Sequence, residues 1–556
     1  MCHSPLSQLT TPFFLLPLPA RANQTVACRS WQPRYRAVLL GLLCTLALFA
    51  SPTQAAEIGW PEPSPGRAGA RLPAGKTVEQ KLAYFLKLTD SLRQQAHNPG
   101  MAIAILHDKK LVYKGGLGYR DVAKQLPVTN NTLFEIGSCT KAFAGVITAQ
   151  LVQEGVLSWD DKVRRHLPEF TLADAYATQN ATLQDIFTHR VGLDQHYYLL
   201  YGPAFTGKEV LTKLPFLSFN GTFREKFLYN NLLYMVAGIL AERATATPWE
   251  ELVRRRIFQP LGMHASFATS REFLQYAEHT LSYRNDGKTI VPHTNLDASG
   301  AAGSISSTIT DMATWLSMLV NKGALGSQPF LSPQQFAYLT SPLTVRNAAE
   351  EIFYGIGWDV DTKRNIIYHD GRTAGQSSRI LLMPLNGFGI VIMCNQQTEL
   401  QNLLIRYATN IFVDDNYARM TDFEQFVIAK ANKATDKELL TPLPIQDKTA
   451  LALLPACIRE YVHPAYGTIT LTQPAANQLH FQYYGFQGFA QHHHNQHFTA
   501  LTTHDTGRDK FDFTVLQDAQ HRVTGLEVVL PFTKPLRFEK VPANKALPKA
   551  RKPLGR

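Results

Sequence analysis

Ser138 and Lys141 stand three residues apart at the head of a long apolar helix, within Phe134-Glu135-Ile136-Gly137-Ser138-Cys139-Thr140-Lys141-Ala142-Phe143. Positions i and i+3 share one helix face, so the hydroxyl and the amine point the same way. Whatever this chain folds into must present a helix N-terminus carrying both groups. Serine is a weak nucleophile at neutral pH and needs a base or a strong field to lose its proton. Lys141 can supply either, and the helix N-terminus favours the negative charge that develops. In isolation the pattern fits an N-cap serine beside a surface lysine just as well, so its meaning depends on the rest of the chain.

Two further segments bear on it. Phe227-Leu228-Tyr229-Asn230-Asn231 enters a helical run from Leu232 to Arg243. Tyr229 and Asn231, two apart on a loop leading into a helix, can both face a cleft. A tyrosine whose phenol is depressed by neighbouring cations can serve as general base and then as general acid. An asparagine amide can orient the lysine or a substrate carbonyl. His369-Asp370-Gly371-Arg372-Thr373-Ala374-Gly375 joins two strand-like apolar runs. Gly371 would let a substrate backbone approach a strand edge. The backbone N–H of Arg372 could join that of Ser138 as an oxyanion hole.

The order S-x-x-K, Y-x-N, H-x-G resembles the serine beta-lactamase and penicillin-binding-protein superfamily, in the branch of class C beta-lactamases, DD-carboxypeptidases, D-aminopeptidases and related esterases. Phe187-Thr188-His189-Arg190-Val191-Gly192-Leu193 is similar to that family's "LTHTSGL" helix end, and Tyr354-Gly355-Ile356-Gly357-Trp358 to its "YGLGW" strand. The resemblance covers residues 78 to 415. It implies an α+β fold, with a mixed sheet flanked by helices and an all-helical lobe, and the site between them. It also implies Ser138 as nucleophile, Lys141 or Tyr229 as base, Asn231 as positioning group, Ser138 and Arg372 N–H groups on the oxyanion, and His369 and Gly371 along the substrate edge, with no cofactor or metal. Two positions depart from the pattern. His369 stands where class C enzymes carry lysine, as often in peptidase and esterase members, and gives a more pH-sensitive anchor for a substrate carboxylate. Gln376 stands where relatives commonly carry an aromatic residue.

The chain is 556 residues long, too long for one ordinary domain, and 45% hydrophobic. Its formal charge of +11 is concentrated at the ends. Residues 1–56 hold four arginines and no acid, and residues 543–556 hold five basic residues and no acid. The body between is close to neutral, which gives no case for nucleic-acid binding. Ala37 to Ala50 is a short apolar run behind Arg34 and Arg36, followed by small residues, as in a secretory signal. The run is too short for a comfortable membrane span, and Cys44 lacks the small residue before it that a lipoprotein anchor requires. A periplasmic or secreted protein is expected, without a stable span after cleavage. Three cysteines would remain, Cys139, Cys394 and Cys457, which does not suggest a disulfide framework.

The expected organisation is a signal region over 1–56, a linker over 57–77, the hydrolase domain over 78–415, a linker over 416–450, an antiparallel β domain over 451–542 and a basic tail over 543–556. In the β domain, Ala456 to Gly467 resembles the lipocalin-like accessory domain often appended to these hydrolases, and short alternating runs follow at hairpin spacing. His492, His493, His494 and His497 lack a nearby cysteine or acid in metal-ligand spacing and read as a histidine-rich strand. The functional expectation is an exported serine hydrolase working through an acyl-enzyme on peptides, with D-residues as in cell-wall fragments. The alternatives are a small-ester hydrolase with weak beta-lactamase activity, or a slow-deacylating penicillin-binding sensor. Self-association through the β domain is a further expectation.

Overall fold

Alternation of apolar residues on a strand covered on both faces organises the first domain. Strand β1 (Gly100–His107) sends Met101, Ile103 and Ile105 to one side and Ala102, Ala104 and Leu106 to the other, and all are buried. The first set packs with helices α1 (Val78–Gln95) and α5 (Leu400–Phe412). The second joins the core of α2 (Thr140–Gln153), α3 (Asn231–Thr245) and α4 (Ile309–Val320). The structure, a computed structural model, describes residues 75–201, 207–432, 444–504, 507–530 and 533–542. The signal region, most of the first linker and the basic tail lie outside the described residues.

Nine strands form the main sheet. In chain order they are β1, β2 (Lys110–Asp121), β3 (Leu126–Pro127), β4 (Thr344–Asn347), β5 (Ile352–Tyr354), β6 (Asp359–Asp361), β7 (Ile366–Thr373), β8 (Gln376–Met383) and β9 (Phe388–Cys394). Their spatial order is β4-β5-β6-β7-β8-β9-β1-β2-β3. The sheet, expected to be mixed, is antiparallel at every pairing, because close connections join most consecutive strands and β1 meets β9 antiparallel. Strand β6 pairs with β7 only from Ile366 to Tyr368, so β7 from His369 onward is freed from it at the site.

The span 416–450, expected as a linker, carries helix α6 (Thr421–Asn432), which buries Phe423 and Val427 against the α5 layer. Its polar composition hid it: two buried apolar residues four apart are enough to seat one helix face. Beyond it lies a closed barrel of eight antiparallel strands. These are β10 (Glu460–His463), β11 (Gly467–Thr472), β12 (Leu479–Tyr483), β13 (Phe486–His494), β14 (His497–His504), β15 (Gly507–Gln517), β16 (Val523–Val529) and β17 (Leu536–Lys540). Pairing of Tyr461 with Lys540 and Val462 with Glu539 closes it and removes the free edges. Phe481, Phe498, Phe511, Phe513 and Phe538 fill its interior. The histidine-rich segment forms the β13–β14 hairpin. Among the described residues no helix is long and apolar enough to cross a membrane.

Candidate active site

The segment that carries Ser138 is held by backbone pairing. Leu133–Glu135 pairs with Ser306–Thr308, and Ile136 N donates to Ile305 O. A single 3-10 turn, Gly137–Cys139, then leads into α2 and places Ser138 beside its first turn. Gly137 has φ +48°, and a side chain there would lie 2.7 Å from Arg372 N. The loop before Ser138 therefore rests directly on the backbone of β7. Cys139, the neighbouring thiol, turns inward instead: its Sγ lies 3.4 Å from His369 O and 3.3 Å from Ser378 Oγ, and burial pushes its pKa up to about 12.

Lys141 is fully buried one turn along, with its Nζ 3.1 Å from Ser138 Oγ. The same nitrogen donates to Asn231 Oδ1 and to the Ala302 carbonyl, each at 2.7 Å. It sits over the rings of Tyr229, at 4.9 Å, and Tyr234, at 5.2 Å. Burial holds the Lys141 amine well below its usual range, since desolvation penalises the ammonium more than the nearby Cys139 thiol favours it.

Asn231 begins α3, and the residue before it, Asn230, caps the helix by accepting from Leu233 N. Tyr229 thus sits on the extended segment just ahead of the cap. Its ring lies 4.5 Å from that of the buried His189. The sequence suggested a phenol depressed by nearby cations. The structure gives the opposite direction, because burial raises the Tyr229 pKa against the pull of its hydrogen bond with Ser138.

His369 also departs from expectation. It is buried, its Nδ1 lies 2.7 Å from the Asp370 carbonyl, and its Nε2 lies 3.0 Å from Tyr354 Oη. A carbonyl only accepts, so Nδ1 carries the proton and Nε2 accepts from the tyrosine. Burial lowers its pKa to about 3. A neutral imidazole with both nitrogens engaged internally is not a cationic anchor for a substrate carboxylate. Gly371 is crowded in turn by the chain itself: a Cβ there would lie 1.9 Å from Ile136 O and 2.3 Å from Ser378 Oγ. The close approach that this glycine permits is that of the loop ahead of Ser138.

The Arg372 side chain leaves the cleft and donates to Glu399 Oε1 at 2.8 Å. Gln376, at the position where an aromatic residue is common, is buried and accepts from Glu135 N at 3.1 Å. Ser138, Lys141, Tyr229 and Asn231 converge, with the Arg372 backbone beside them. Ala302 lies in the small-residue stretch Ser299 to Ser307, which is similar to one that lines the site in the family and fits a close-packed turn equally well; its contact with Lys141 is made by a backbone carbonyl, which leaves no side-chain signal. His189 and Tyr354 were quoted only as parts of similar segments. No cluster of three metal-ligating side chains occurs among the described residues. In the hairpin, His493 Nε2 bonds Thr499 Oγ1 at 2.8 Å and His497 Nδ1 bonds Thr514 Oγ1 at 3.2 Å.

The family model described as Beta-lactamase matches residues 80–410. The chain belongs to the beta-lactamase family. Among curated relatives of this beta-lactamase-family protein, the unguisins hydrolase of Aspergillus campestris is 28% identical over 58% of the chain and 62% of its own length. That of Aspergillus violaceofuscus is 28% identical over 69% of the chain and 75% of its own. Protein flp of Staphylococcus aureus N315 is 26% identical over 59% of the chain and 66% of its own. The first and third matches thus span less than two thirds of those relatives. The octameric penicillin-binding protein homologue from Pyrococcus abyssi superposes with a TM-score of 0.53 at 19% identity, covering 82% of this chain and 99% of that one. It shares the fold. The two Aspergillus relatives are named as hydrolases.

Proposed function

We propose that this protein is an exported serine hydrolase that forms a covalent acyl-enzyme on Ser138 and acts on peptides, with D-residue-containing peptides as the substrate class. The bonding of Lys141 carries the reading. A neutral amine has two N–H donors and one lone pair, and the Ala302 carbonyl and Asn231 Oδ1 accept both protons. Nζ also lies 3.1 Å from Ser138 Oγ, where the lone pair of a neutral amine can accept the hydroxyl proton, and burial lowers the amine's pKa well below its usual range. Tyr229, whose phenol is raised, stays protonated and stands ready as a donor. Lys141 is therefore the base of the resting site.

Ser138 Oγ attacks the substrate carbonyl and its proton passes to Lys141. The oxyanion is met by the backbone N–H groups of Ser138 and Arg372. As the carbonyl re-forms, the bond to the leaving group breaks, and that group takes a proton from Lys141 by way of Tyr229. Water then adds to the ester, freeing the acid and restoring the Ser138 hydroxyl. The names of the Aspergillus relatives support a hydrolytic reaction. Export to the periplasm or medium rests on the apolar run behind Arg34 and Arg36.

A second reading, small-ester hydrolysis with weak beta-lactamase activity, is favoured by the neutral, enclosed His369, which offers no cation for a terminal carboxylate. Intact mass spectrometry after mixing with a penicillin, a D-alanyl peptide and a p-nitrophenyl ester tests both. An adduct on Ser138 that clears with product supports the hydrolase, and the fastest ligand names the substrate class. A stable penicillin adduct without turnover supports a sensor. Adducts that persist unchanged in Ser138→Ala would overturn the assignment of the nucleophile. Self-association through the barrel stays a proposal for light scattering.

A further inference from the structure

Asn230 lies between Tyr229 and Asn231, and three of its polar groups are pinned. Its Oδ1 accepts from Leu233 N at 3.0 Å, its N–H donates to His189 Nδ1 at 2.9 Å, and its Nδ2 donates to the Asp194 carbonyl at 2.6 Å. Asp194 is only 1% exposed. Its N–H donates to Ser218 O at 3.1 Å, and its Oδ1 accepts from Gln195 N at 3.0 Å. Its other carboxylate oxygen, Oδ2, accepts the backbone N–H of Lys534 at 2.9 Å. Lys534 belongs to the connection between β16 and β17, the last two strands of the barrel.

One residue thus touches both ends of the matter. Its carbonyl holds the residue between the two site side chains, and its carboxylate holds the C-terminal barrel. The flanking residues do the same. His196, buried, bonds Tyr466 Oη through Nδ1 and Ser218 O through Nε2, each at 2.9 Å. Tyr198 donates to Asp509 Oδ1 at 2.6 Å, and its ring meets Phe486 at 5.6 Å and Phe511 at 5.3 Å. A buried carboxylate is costly unless it is hydrogen-bonded, and bonds to an ionised acceptor are about twice as strong as neutral ones. Among the described residues, the Asp194 carboxylate without Lys534 N would keep only its neighbour's N–H and would be driven to seek water. The segment would then move, and with it the support of Asn230.

We infer that Asp194 is a positioning residue for the hydrolase site and that the C-terminal barrel, bonded to it through Lys534, is a working part of that site. The barrel sets the spacing of Tyr229 and Asn231 from Lys141 and Ser138. It does so through the segment from Asp194 to Tyr198. The inference rests on the hydrolase reading above.

The test uses the full chain. Asp194→Ala removes the carboxylate and keeps the backbone carbonyl; Asp194→Asn restores one acceptor for Lys534 N. The readouts are kcat and KM for a p-nitrophenyl ester, the pH profile of kcat, and the rate at which a fluorophosphonate labels Ser138. We expect Asp194→Ala to lower kcat and labelling at least tenfold with KM within threefold, and to shift the acid limb as Lys141 loses its fixed acceptor. Asp194→Asn should recover to within threefold of the parent. A folded Asp194→Ala protein with parental kcat, labelling and pH profile overturns the inference. Should Asp194→Ala not fold, Tyr198→Phe removes only the bond to Asp509, and parental rates in that variant overturn it equally. A parent protein that the probe does not label removes the hydrolase reading itself, a result distinct from equal labelling of parent and variant.

Discussion

Replacing Gly371 with alanine adds one methyl group at the tightest contact around the site. The added Cβ would lie 1.9 Å from Ile136 O and 2.3 Å from Ser378 Oγ. Real Cβ atoms do not come closer than 3.0 Å, so the nucleophile loop and β7 must part by roughly 1 Å. Both atoms already share a bond, Ser378 Oγ donating to Ile136 O at 2.8 Å. Ile136 lies two residues before Ser138, and a displacement of about 1 Å at a reacting group can cost about a hundredfold in rate. Overpacking of this kind also costs about 1–3 kcal/mol of stability. The assay is the pre-steady-state burst with a p-nitrophenyl ester, read beside a urea unfolding curve. Gly371→Ala should slow acylation about a hundredfold while the protein still folds. The double variant Gly371→Ala/Ser378→Ala should not recover, because the Ile136 carbonyl remains in the way. A folded Gly371→Ala protein acylating within threefold of the parent, or a full recovery in the double variant, would refute the reasoning.

Four other outcomes are expected. Asn231→Asp places a carboxylate against Lys141 Nζ and raises the amine's pKa; the acid limb of kcat should move to higher pH, and an unmoved limb would count against Lys141 as the base. His369, lowered to about 3, should show no imidazole titration by NMR between pH 5 and 8. Glu135 is buried and raised from 4.5 to about 7. Its folded form holds the proton more tightly, so its contribution is full below pH 4.5 and is lost as pH rises through about 7. Glu135→Gln should remove that decline, worth up to about 3 kcal/mol, in urea midpoints compared at pH 4.5 and 8. Cys139→Ala should keep kcat within threefold, and thiol reagents should leave the native protein active, since the thiol faces the sheet and its pKa is pushed up to about 12.

Helices and strands with regular apolar spacing were legible from the chain alone. Val78–Gln95 and Leu400–Phe412 are such helices, because each carries one face of large apolar residues. Alternating apolar runs in the chain mark β11, β12, β15, β16 and β17, whereas β10 is only four residues long and β13 and β14 dilute their apolar alternation with histidine and threonine. Helix α6 was hidden by a polar composition that two buried residues outweigh.

At the site, the sequence by itself determined which groups exist: a serine and a lysine on one helix face, a tyrosine and an asparagine at a helix entry, and a glycine between two strand-like runs. Covalent order and helical periodicity suffice for that. Only the tertiary structure decided their states. The lowered Lys141 amine, the raised Tyr229 phenol and the enclosed His369 all follow from burial, which depends on what the rest of the chain packs around them. The Ala302 carbonyl and the Asp194 link to the barrel join residues about 160 and 340 positions apart. No local pattern encodes such a meeting, because it is set by how the sheet, the helices and the barrel close on one another.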